Sequence, residues 1–341
     1  MKVLTQKEIP EQVSLDKNDL KILAVLVNNS RTPLSVIAKK VRLSRTSVEY
    51  RIKKMEDNEL IVGSRTVVNL PKIGYNSYHV FVEPLKLEDE KMLLDRAVNS
   101  QSVNAIISYS GRFGMEISII AKSPADFMLH CEKLFENLNI NYSTPLMLLS
   151  TVHSLILPKR FFKDIEISEI KEVHTPASAK EASVDETDIA ILKRISNNAD
   201  FNIIQLAKEL SITKDIIKYR INKMISNQII LQFRPAINYS ALGLSIHSIL
   251  IKTEGGKSEE LEVFLKNSES VLWAARTFGD WQYLVYLIAD DNYQLHTFIQ
   301  DLKSKFEKTV KNYELLFAYK EYKYSFFSDN IASVKRNNFK P

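Results

Sequence analysis

The sequence has 341 residues, 45% of them hydrophobic and 26% charged, which is typical of globular domains with a sizeable core. Its single cysteine, Cys131, excludes an internal disulfide and a cysteine-based zinc site, so we expect a reducing compartment and neither metal nor cofactor. The longest apolar stretch, residues 145–157, is too short for a membrane helix, and no secretory signal pattern is present. We therefore expect a cytoplasmic protein that does not contact membranes, whose net charge of +5 permits nucleic-acid binding.

Two short helices are predicted at the start of the chain. Asp16 stands at an N-cap position and Asp19 follows three residues later, so both carboxylates can accept hydrogen bonds from the first turn. Thr32 and Pro33 predict the start of the second helix, with the hydroxyl as cap and proline in the first turn.

A third helix is predicted over about 45–57, capped by Ser44. Its apolar residues recur at helical spacing and form one buried seam, Val48, Ile52 and Met55. The opposite face combines hydrogen-bonding groups, an aromatic edge and positive charge, as a helix that enters the major groove requires. The predicted DNA contacts of this first unit are Arg31, Arg45, Thr46, Ser47, Tyr50, Lys53, Lys54 and Arg65.

The three predicted helices together form a helix-turn-helix, and the local charge supports DNA binding by it. Residues 15–70 contain eleven basic and six acidic side chains, the local excess that phosphate neutralisation requires. A cationic face can also be a solvated surface, but the three helices and their caps favour DNA binding. Arg51 lies beside the buried seam, so we predict an internal ion pair for it. Residues 61–69, with a turn at Gly63-Ser64, predict a short hairpin or wing from which Arg65 contacts a phosphate or stays solvated.

From residue 78 the pattern predicts the order βαββαβ of a ferredoxin-like domain. The predicted strands are 78–84, 103–110, 115–121 and 145–157, with helices at 88–99 and 124–137. The strands are almost continuously apolar. We therefore expect a second sheet to cover the face that the helices leave open.

The whole pattern recurs: residues 15–75 align without gaps with 184–244, and Tyr50, for example, matches Tyr219. A period this long indicates duplicated domains. The predicted fold is α+β, with two copies of a winged helix-turn-helix followed by a ferredoxin-like βαββαβ sensor domain. The predicted units are 1–70 (first helix-turn-helix with wing), 71–157 (first sensor), 158–183 (linker), 184–239 (second helix-turn-helix with wing), 240–328 (second sensor) and 329–341 (tail).

These motifs, as an ordered set, resemble the leucine-responsive/asparagine-regulator family (Lrp/AsnC) of transcription regulators. The residues that carry the resemblance are LDKNDLKIL (15–23), IAKKVRLSRTSVEYRIKKM (37–55), LIVGSRTVVN (60–69) and GRF (111–113), with VDETDIAIL (184–192), LAKELSITKDIIKYRINKM (206–224) and GDW (279–281) in the second copy.

The resemblance implies sequence-specific binding of double-stranded DNA and pairing of sensor domains through their sheets. Here the two sensors would pair within one chain, and we expect the chain to form a homo-oligomer. Such regulators can also bind an amino acid or related metabolite at a sheet interface. The residues it implies for effector binding are Gly111, Phe113, Gly279 and Trp281.

Several positions depart from the family. Glu59 and Gln228 stand where it usually has glycine, and we expect the preceding Asn58 and Asn227 to adopt the left-handed conformation instead. Gly114 and Gln282 replace the aspartate that usually follows the glycine-aromatic loop.

The second helix-turn-helix carries less positive charge. Residues 184–239 hold eight basic and six acidic side chains, and Asp200 and Asp215 replace Arg31 and Thr46. We expect this unit to bind DNA more weakly or to recognise another half-site. Its predicted DNA contacts are Lys214, Lys218, Tyr219 and Lys223.

Two other functions fit the fold. A sirohaem decarboxylase-like enzyme would need histidines converging on a tetrapyrrole, for which His79, His153 and His247 are candidates. Each is better explained as hydrogen-bonded or solvated, no histidine-aromatic cluster recurs in both copies, and we expect no enzymatic activity. The second alternative is a ligand sensor or scaffold that does not bind DNA.

Overall fold

In the computed structural model, the residues described are 12–165, 170–175 and 180–332, together with the backbone of 3–5. The first half contains, in chain order, β1 (Val3–Thr5), α1 (Lys17–Asn28), α2 (Leu34–Val41), α3 (Arg45–Asp57), β2 (Ile61–Val68), β3 (Asn76–Pro84), α4 (Leu87–Asn99), β4 (Val103–Ser110), β5 (Met115–Ala121), α5 (Pro124–Phe135), β6 (Ile140–Tyr142) and β7 (Leu146–Ser154). The second half contains α6 (Glu186–Ile195), α7 (Ile203–Glu209), α8 (Lys214–Ser226), β8 (Ile230–Ile237), β9 (Ser245–Thr253), α9 (Glu259–Asn267), β10 (Val271–Phe278), β11 (Tyr283–Ala289), α10 (Asn292–Lys305) and β12 (Val310–Tyr324).

The helix caps are mostly as predicted. Asp16 and Asp19 form a reciprocal capping box on α1, and Ser44 caps α3 by accepting a hydrogen bond from Ser47 N–H. The expected cap of α2 is wrong, because the Thr32 hydroxyl donates to the carbonyl of Asn29 instead. Helix α2 begins without a side-chain cap.

The end of α3 differs from the prediction. Asn58 is not left-handed; Glu59 itself has φ +53°, and Gln228 has φ +58° at the end of α8. These two residues occupy the position where glycine avoids a steric penalty of about 1–2 kcal/mol. The backbone geometry of the turn is therefore kept, at some cost in stability.

The predicted hairpin in 61–69 is also wrong. Strand β2 continues through Gly63, with a shift in register there, and pairs antiparallel with β8 of the second half, with Arg65 directly opposite Arg234. We call this two-stranded sheet the linking ribbon. It joins the segments that follow the two helix-turn-helix units.

Eight strands form one closed barrel. Around the ring the order is β3, β7, β10, β11, β9, β12, β4, β5 and back to β3, and each neighbouring pair is antiparallel. Strand β7 has only two paired positions with its own β3 but six with β10, and β12 correspondingly joins β9 to β4. The last strand of each half thus completes the sheet of the other. The expected second sheet is continuous with the first.

Each helix-turn-helix unit also packs against residues of the opposite half. The core of the first includes Ile237 and Ala241 from the second half, whereas the core of the second includes Val68 and Ile73 from the first. Gln232 of β8 donates to the carbonyl of Val27 at the end of α1, and Thr66 of β2 donates to that of Ile195 at the end of α6. The ribbon therefore fixes both units to the barrel.

The segment between the halves does not extend β7. A 3₁₀ turn follows at Lys159–Phe162, and the described part of 170–175 runs back beside β7, where Thr175 accepts a hydrogen bond from Thr151 N–H. Most of the predicted tail, residues 333–341, lies outside the described residues. Within the described ranges, no helix has the length and apolar character needed to cross a membrane.

The left-handed residue after α3 generates a stability prediction. Glu59→Gly should raise the free energy of unfolding by up to about 1 kcal/mol, because relief of the left-handed strain exceeds the added entropy of the unfolded chain. Lys53→Gly, inside the same helix, should lower it by about 1 kcal/mol. Urea unfolding followed by circular dichroism measures both, and a destabilised Glu59→Gly protein would contradict the steric argument.

Candidate nucleic-acid interface

Helix α3 presents the predicted polar face to solvent. Val48 and Met55 are buried, whereas the Tyr50 side chain is 68% exposed. Ser47 is half-buried, and its backbone N–H donates to the hydroxyl of the capping residue Ser44. The other exposed members of this face are Arg45, Thr46, Lys53 and Lys54. An exposed tyrosine among three cations has no packing role, and this combination suits contacts to phosphates and base edges.

Helix α8 presents a similar but altered face. Tyr219 is 66% exposed, and Ile217 and Met224 are buried like their counterparts in α3. The predicted contacts Lys214, Lys218 and Lys223 are all exposed. Asp215 is exposed in the first turn, and Asn222 stands where α3 has Lys53. Lys218, in turn, stands where α3 has the exposed Glu49, so the two faces differ in the placement of their charges.

One arginine in each unit is held away from this face. Arg51 Nη1 lies 2.7 Å from carboxylate oxygens of both Asp16 and Asp19, which confirms the predicted internal ion pair. Arg220 makes the equivalent pairs with Asp185 and Asp188 at 2.7 and 2.9 Å. These arginines tie the third helix of each unit to the cap of the first.

Arg31, a predicted DNA contact, does not lie with the other predicted contacts on α3. Its guanidinium stacks 3.8 Å from the centroid of the Phe201 ring and donates to the backbone carbonyls of Ala199 and Phe201. Asp200, which we expected to repel DNA, accepts a hydrogen bond from Ser64 at 2.6 Å. Both side chains are therefore used where the two helix-turn-helix units meet.

The prediction that Arg65 contacts a phosphate or stays solvated is also wrong. It is only 8% exposed, because the linking ribbon directs it inward, toward the barrel. Its Nη2 lies 3.7 Å from Glu321 Oε1, and its guanidinium lies 4.7 Å from the centroid of the Tyr324 ring. The expectation of a hairpin caused the error, since a hairpin tip would have exposed this residue.

The four predicted effector residues lie at the barrel end away from the ribbon. Phe113 and Trp281 are each 6% exposed and belong to one packed cluster in the barrel interior. Gly111 and Gly279 have φ of +142° and +147°, and a Cβ atom at Gly279 would lie 2.8 Å from the carbonyl oxygen of Pro145. These glycines let each loop approach the last strand of the other half, and Phe113 and Trp281 pack in the barrel interior beside them.

A buried polar network crosses the barrel near its middle. Glu116, 2% exposed, is 2.6 Å from His79 Nδ1 and accepts hydrogen bonds from Tyr109 at 2.5 Å and Tyr286 at 2.6 Å. Tyr109 also contacts Ser248 at 2.7 Å. The network thus joins residues from both halves. The residue that matches Glu116 in the second half is Leu284, so the network has no symmetric copy.

The other strand histidines have local partners too. His153 Nδ1 lies 3.1 Å from Glu172, and His247 Nε2 lies 2.8 Å from Ser245. Burial lowers the pKa of His247 to about 4, which keeps this imidazole neutral. The three histidines do not converge on one centre. Among the residues described, no cluster of acidic, histidine and cysteine side chains could hold a metal ion.

Family models match two parts of the chain: a winged helix-turn-helix DNA-binding model over residues 15–62 and an Lrp/AsnC ligand-binding domain model over 248–326. The chain is 39% identical to the transcriptional regulator LrpA of Pyrococcus horikoshii over 62 residues, 18% of this chain and 44% of LrpA. It is 30% identical to an HTH-type transcriptional regulator of Pyrococcus furiosus over 112 residues, 32% of this chain and 73% of that protein.

Among solved structures, the fold is similar to that of the sirohaem decarboxylase NirDL. The TM-score is 0.60 at 12% sequence identity, and the match covers 94% of this chain and 95% of that one. At this identity the likeness concerns the fold alone.

The position of Glu321 predicts a pH effect on stability. Burial raises the pKa of Glu321 to about 7, opposed by Arg65, whereas the unfolded carboxyl titrates near 4.5. The folded state therefore holds this proton more tightly, and its stability falls as pH rises from about 4.5 to 7. Relative to wild type, Glu321→Gln should gain about 1–3 kcal/mol between pH 5 and pH 8 in urea unfolding. Glu314→Gln, on the same strand, is the matched control, and equal behaviour of the two variants would refute this environment for Glu321.

Proposed function

Because this chain belongs to the Lrp/AsnC family of transcription regulators, we propose that it binds double-stranded DNA as a covalent pseudo-dimer, with α3 and α8 as unequal recognition helices. The observation that carries the proposal is the exposed face of α3, where Tyr50 lies among Arg45, Lys53 and Lys54. The proposed DNA contacts are Arg45, Thr46, Ser47, Tyr50, Lys53 and Lys54 on α3, with Lys214, Lys218, Tyr219 and Lys223 on α8.

We further propose that the pseudo-dimer arose by tandem duplication, with the domain limits derived from the sequence repeat. The closed barrel supports this, because each half supplies the strand that completes the other. A cytoplasmic location and assembly into a homo-oligomer are part of the same proposal. The proposal also includes regulation of DNA binding by a small molecule.

The unequal helices have a physical basis. Asp215 replaces Thr46 and Asn222 replaces Lys53, whereas Lys218 replaces Glu49, so charge is redistributed along the face toward DNA. An aspartate in this place repels phosphate but can accept a hydrogen bond from cytosine. This different placement, together with the smaller positive charge of the whole second unit, predicts that the second helix prefers another half-site or binds more weakly.

The first experiment selects DNA sites from a random double-stranded pool and measures affinity for the enriched site at several salt concentrations. We expect binding to weaken steeply with salt, because phosphate contacts release counterions. The double substitution Lys53→Ala and Lys54→Ala should reduce the salt slope by about 1–2, whereas Lys133→Ala, on the exposed side of α5, should not change it. Failure to enrich any site would count against DNA binding and favour a sensor or scaffold.

The second experiment compares Tyr50→Ala with Tyr219→Ala on the selected site. Both tyrosines are about equally exposed, so neither substitution should unfold the protein. We expect Tyr50→Ala to cost about 1–3 kcal/mol of binding free energy, the range for a base contact, and Tyr219→Ala to cost less. Equal losses would mean that the two recognition helices are equivalent.

Enzymatic activity like that of the sirohaem decarboxylase is the second candidate, and the likeness in fold to NirDL supports it. Two features of the barrel argue against it. The strand histidines are each engaged locally, and the interior cavity of about 250 Å³ lies below the roughly 300–1,000 Å³ of pockets that hold drug-sized ligands. Titration with sirohaem should leave the Soret band unchanged, and a saturable shift at one equivalent would favour the enzyme.

A further inference from the structure

A partly open cavity lies at the end of the barrel next to the linking ribbon. Its volume is about 250 Å³. The packed cluster that contains Phe113 and Trp281 closes the opposite end. The cavity is therefore distinct from the glycine-aromatic loops.

Two arginines line this cavity from the ribbon. Arg65 and Arg234 are direct partners in the β2–β8 ladder, and both line the cavity wall. Arg65 is more than nine-tenths buried, and its Nε and Nη2 have no hydrogen-bond partner among the residues described. Two like charges at opposed positions are unfavourable, and a buried guanidinium without acceptors is more so. This end of the cavity therefore has unused capacity to bind an anion.

Glu321 does not compensate both arginines. It is the one carboxylate among the described residues that line the cavity, and its Oε1 remains 3.7 Å from Arg65 Nη2, too far for a hydrogen bond. The corresponding position on β7 is Thr151, which is neutral. Even when Glu321 is fully ionised, the two arginines and this carboxylate together carry a net charge of +1.

The walls of the cavity differ in polarity. Ser77 and Asn104 of the first half correspond by register to Ile246 and Leu272 of the second, and Ala105 corresponds to Trp273. The part of the wall around Ile246, Leu272 and Trp273 is thus more apolar than its counterpart. A ligand that fits both the arginine end and the apolar wall has an anionic head and a short hydrocarbon tail.

We propose that the cavity binds a small monocarboxylate with an apolar tail, its carboxylate held by Arg65 and Arg234 and its tail packed against Leu272 and Trp273. Guanidinium groups bind carboxylates through paired, charge-assisted hydrogen bonds, which are among the strongest in proteins. The binding itself does not require DNA. A test without DNA can therefore fail or succeed independently of the proposed regulator function.

The test uses the fluorescence of Trp273. The chain has two tryptophans, so Trp281→Phe leaves one reporter, in the cavity wall. Sodium hexanoate is titrated at pH 7 against hexanamide, which has the same length but no charge. We expect a saturable change with hexanoate at an affinity about tenfold or more above that of hexanamide. The comparison needs no substitution in the cavity, so it stays informative if a variant fails to fold.

Variants of opposite sign separate binding from structural damage. Arg65→Gln should weaken hexanoate binding about tenfold or more. Glu321→Gln should strengthen it, because it removes a competing carboxylate, and Glu314→Gln outside the cavity should have no effect. Burial raises the pKa of Glu321 to about 7, so wild-type binding should weaken between pH 6 and pH 8, and Glu321→Gln should lose most of that dependence.

Three results would overturn the proposal. One is equal response to hexanoate and hexanamide. Another is wild-type affinity in a folded Arg65→Gln protein. The third is the absence of saturable binding for every straight-chain carboxylate from butanoate to octanoate.

Discussion

The structure depends on the exchange of last strands between its two halves. Strand β7 closes the sheet of the second half and β12 that of the first, so neither half has a complete barrel without the other. All neighbours in the ring are hydrogen-bonded, which removes the open sheet edges that would otherwise invite association. The linking ribbon extends the same exchange to the helix-turn-helix units, since each packs on residues from the opposite half. A dimer-like assembly is thereby built into one chain.

Joining both halves in one chain frees their matched positions to differ. Two identical subunits would place two copies of any interior residue around the axis, and two buried glutamates at Glu116 would repel each other. Here Leu284 occupies the position that corresponds to Glu116, so a single carboxylate accepts hydrogen bonds from a tyrosine of each half and contacts His79. Glu321 and Thr151 differ in the same way, as do the two cavity walls. The unequal recognition helices that we propose are a further expression of this freedom.

Local structure could be predicted well from the sequence, whereas the contacts between the two halves could not. Periodicity and caps located the described helices, and the βαββαβ order follows from apolar runs separated by turns. The errors concern side chains whose partners are remote in sequence: Arg31 binds near Phe201, and Arg65 lies near Glu321. No local pattern distinguishes a hairpin from a strand paired across 169 residues. The one available signal was the identity of Arg65 with Arg234 in the repeat, which a DNA-contact interpretation explained equally well.

The central claim, that one chain holds two unequal DNA-reading helices on a shared barrel, is tested most directly by footprinting on a selected site. Hydroxyl-radical cleavage at a protein concentration that gives one bound chain per DNA should show two protected half-sites of different sequence. Their centres should be separated by about one helical turn or a whole multiple of it. A single protected half-site under that stoichiometry, with the flanking DNA cleaved as in free DNA, would contradict the account.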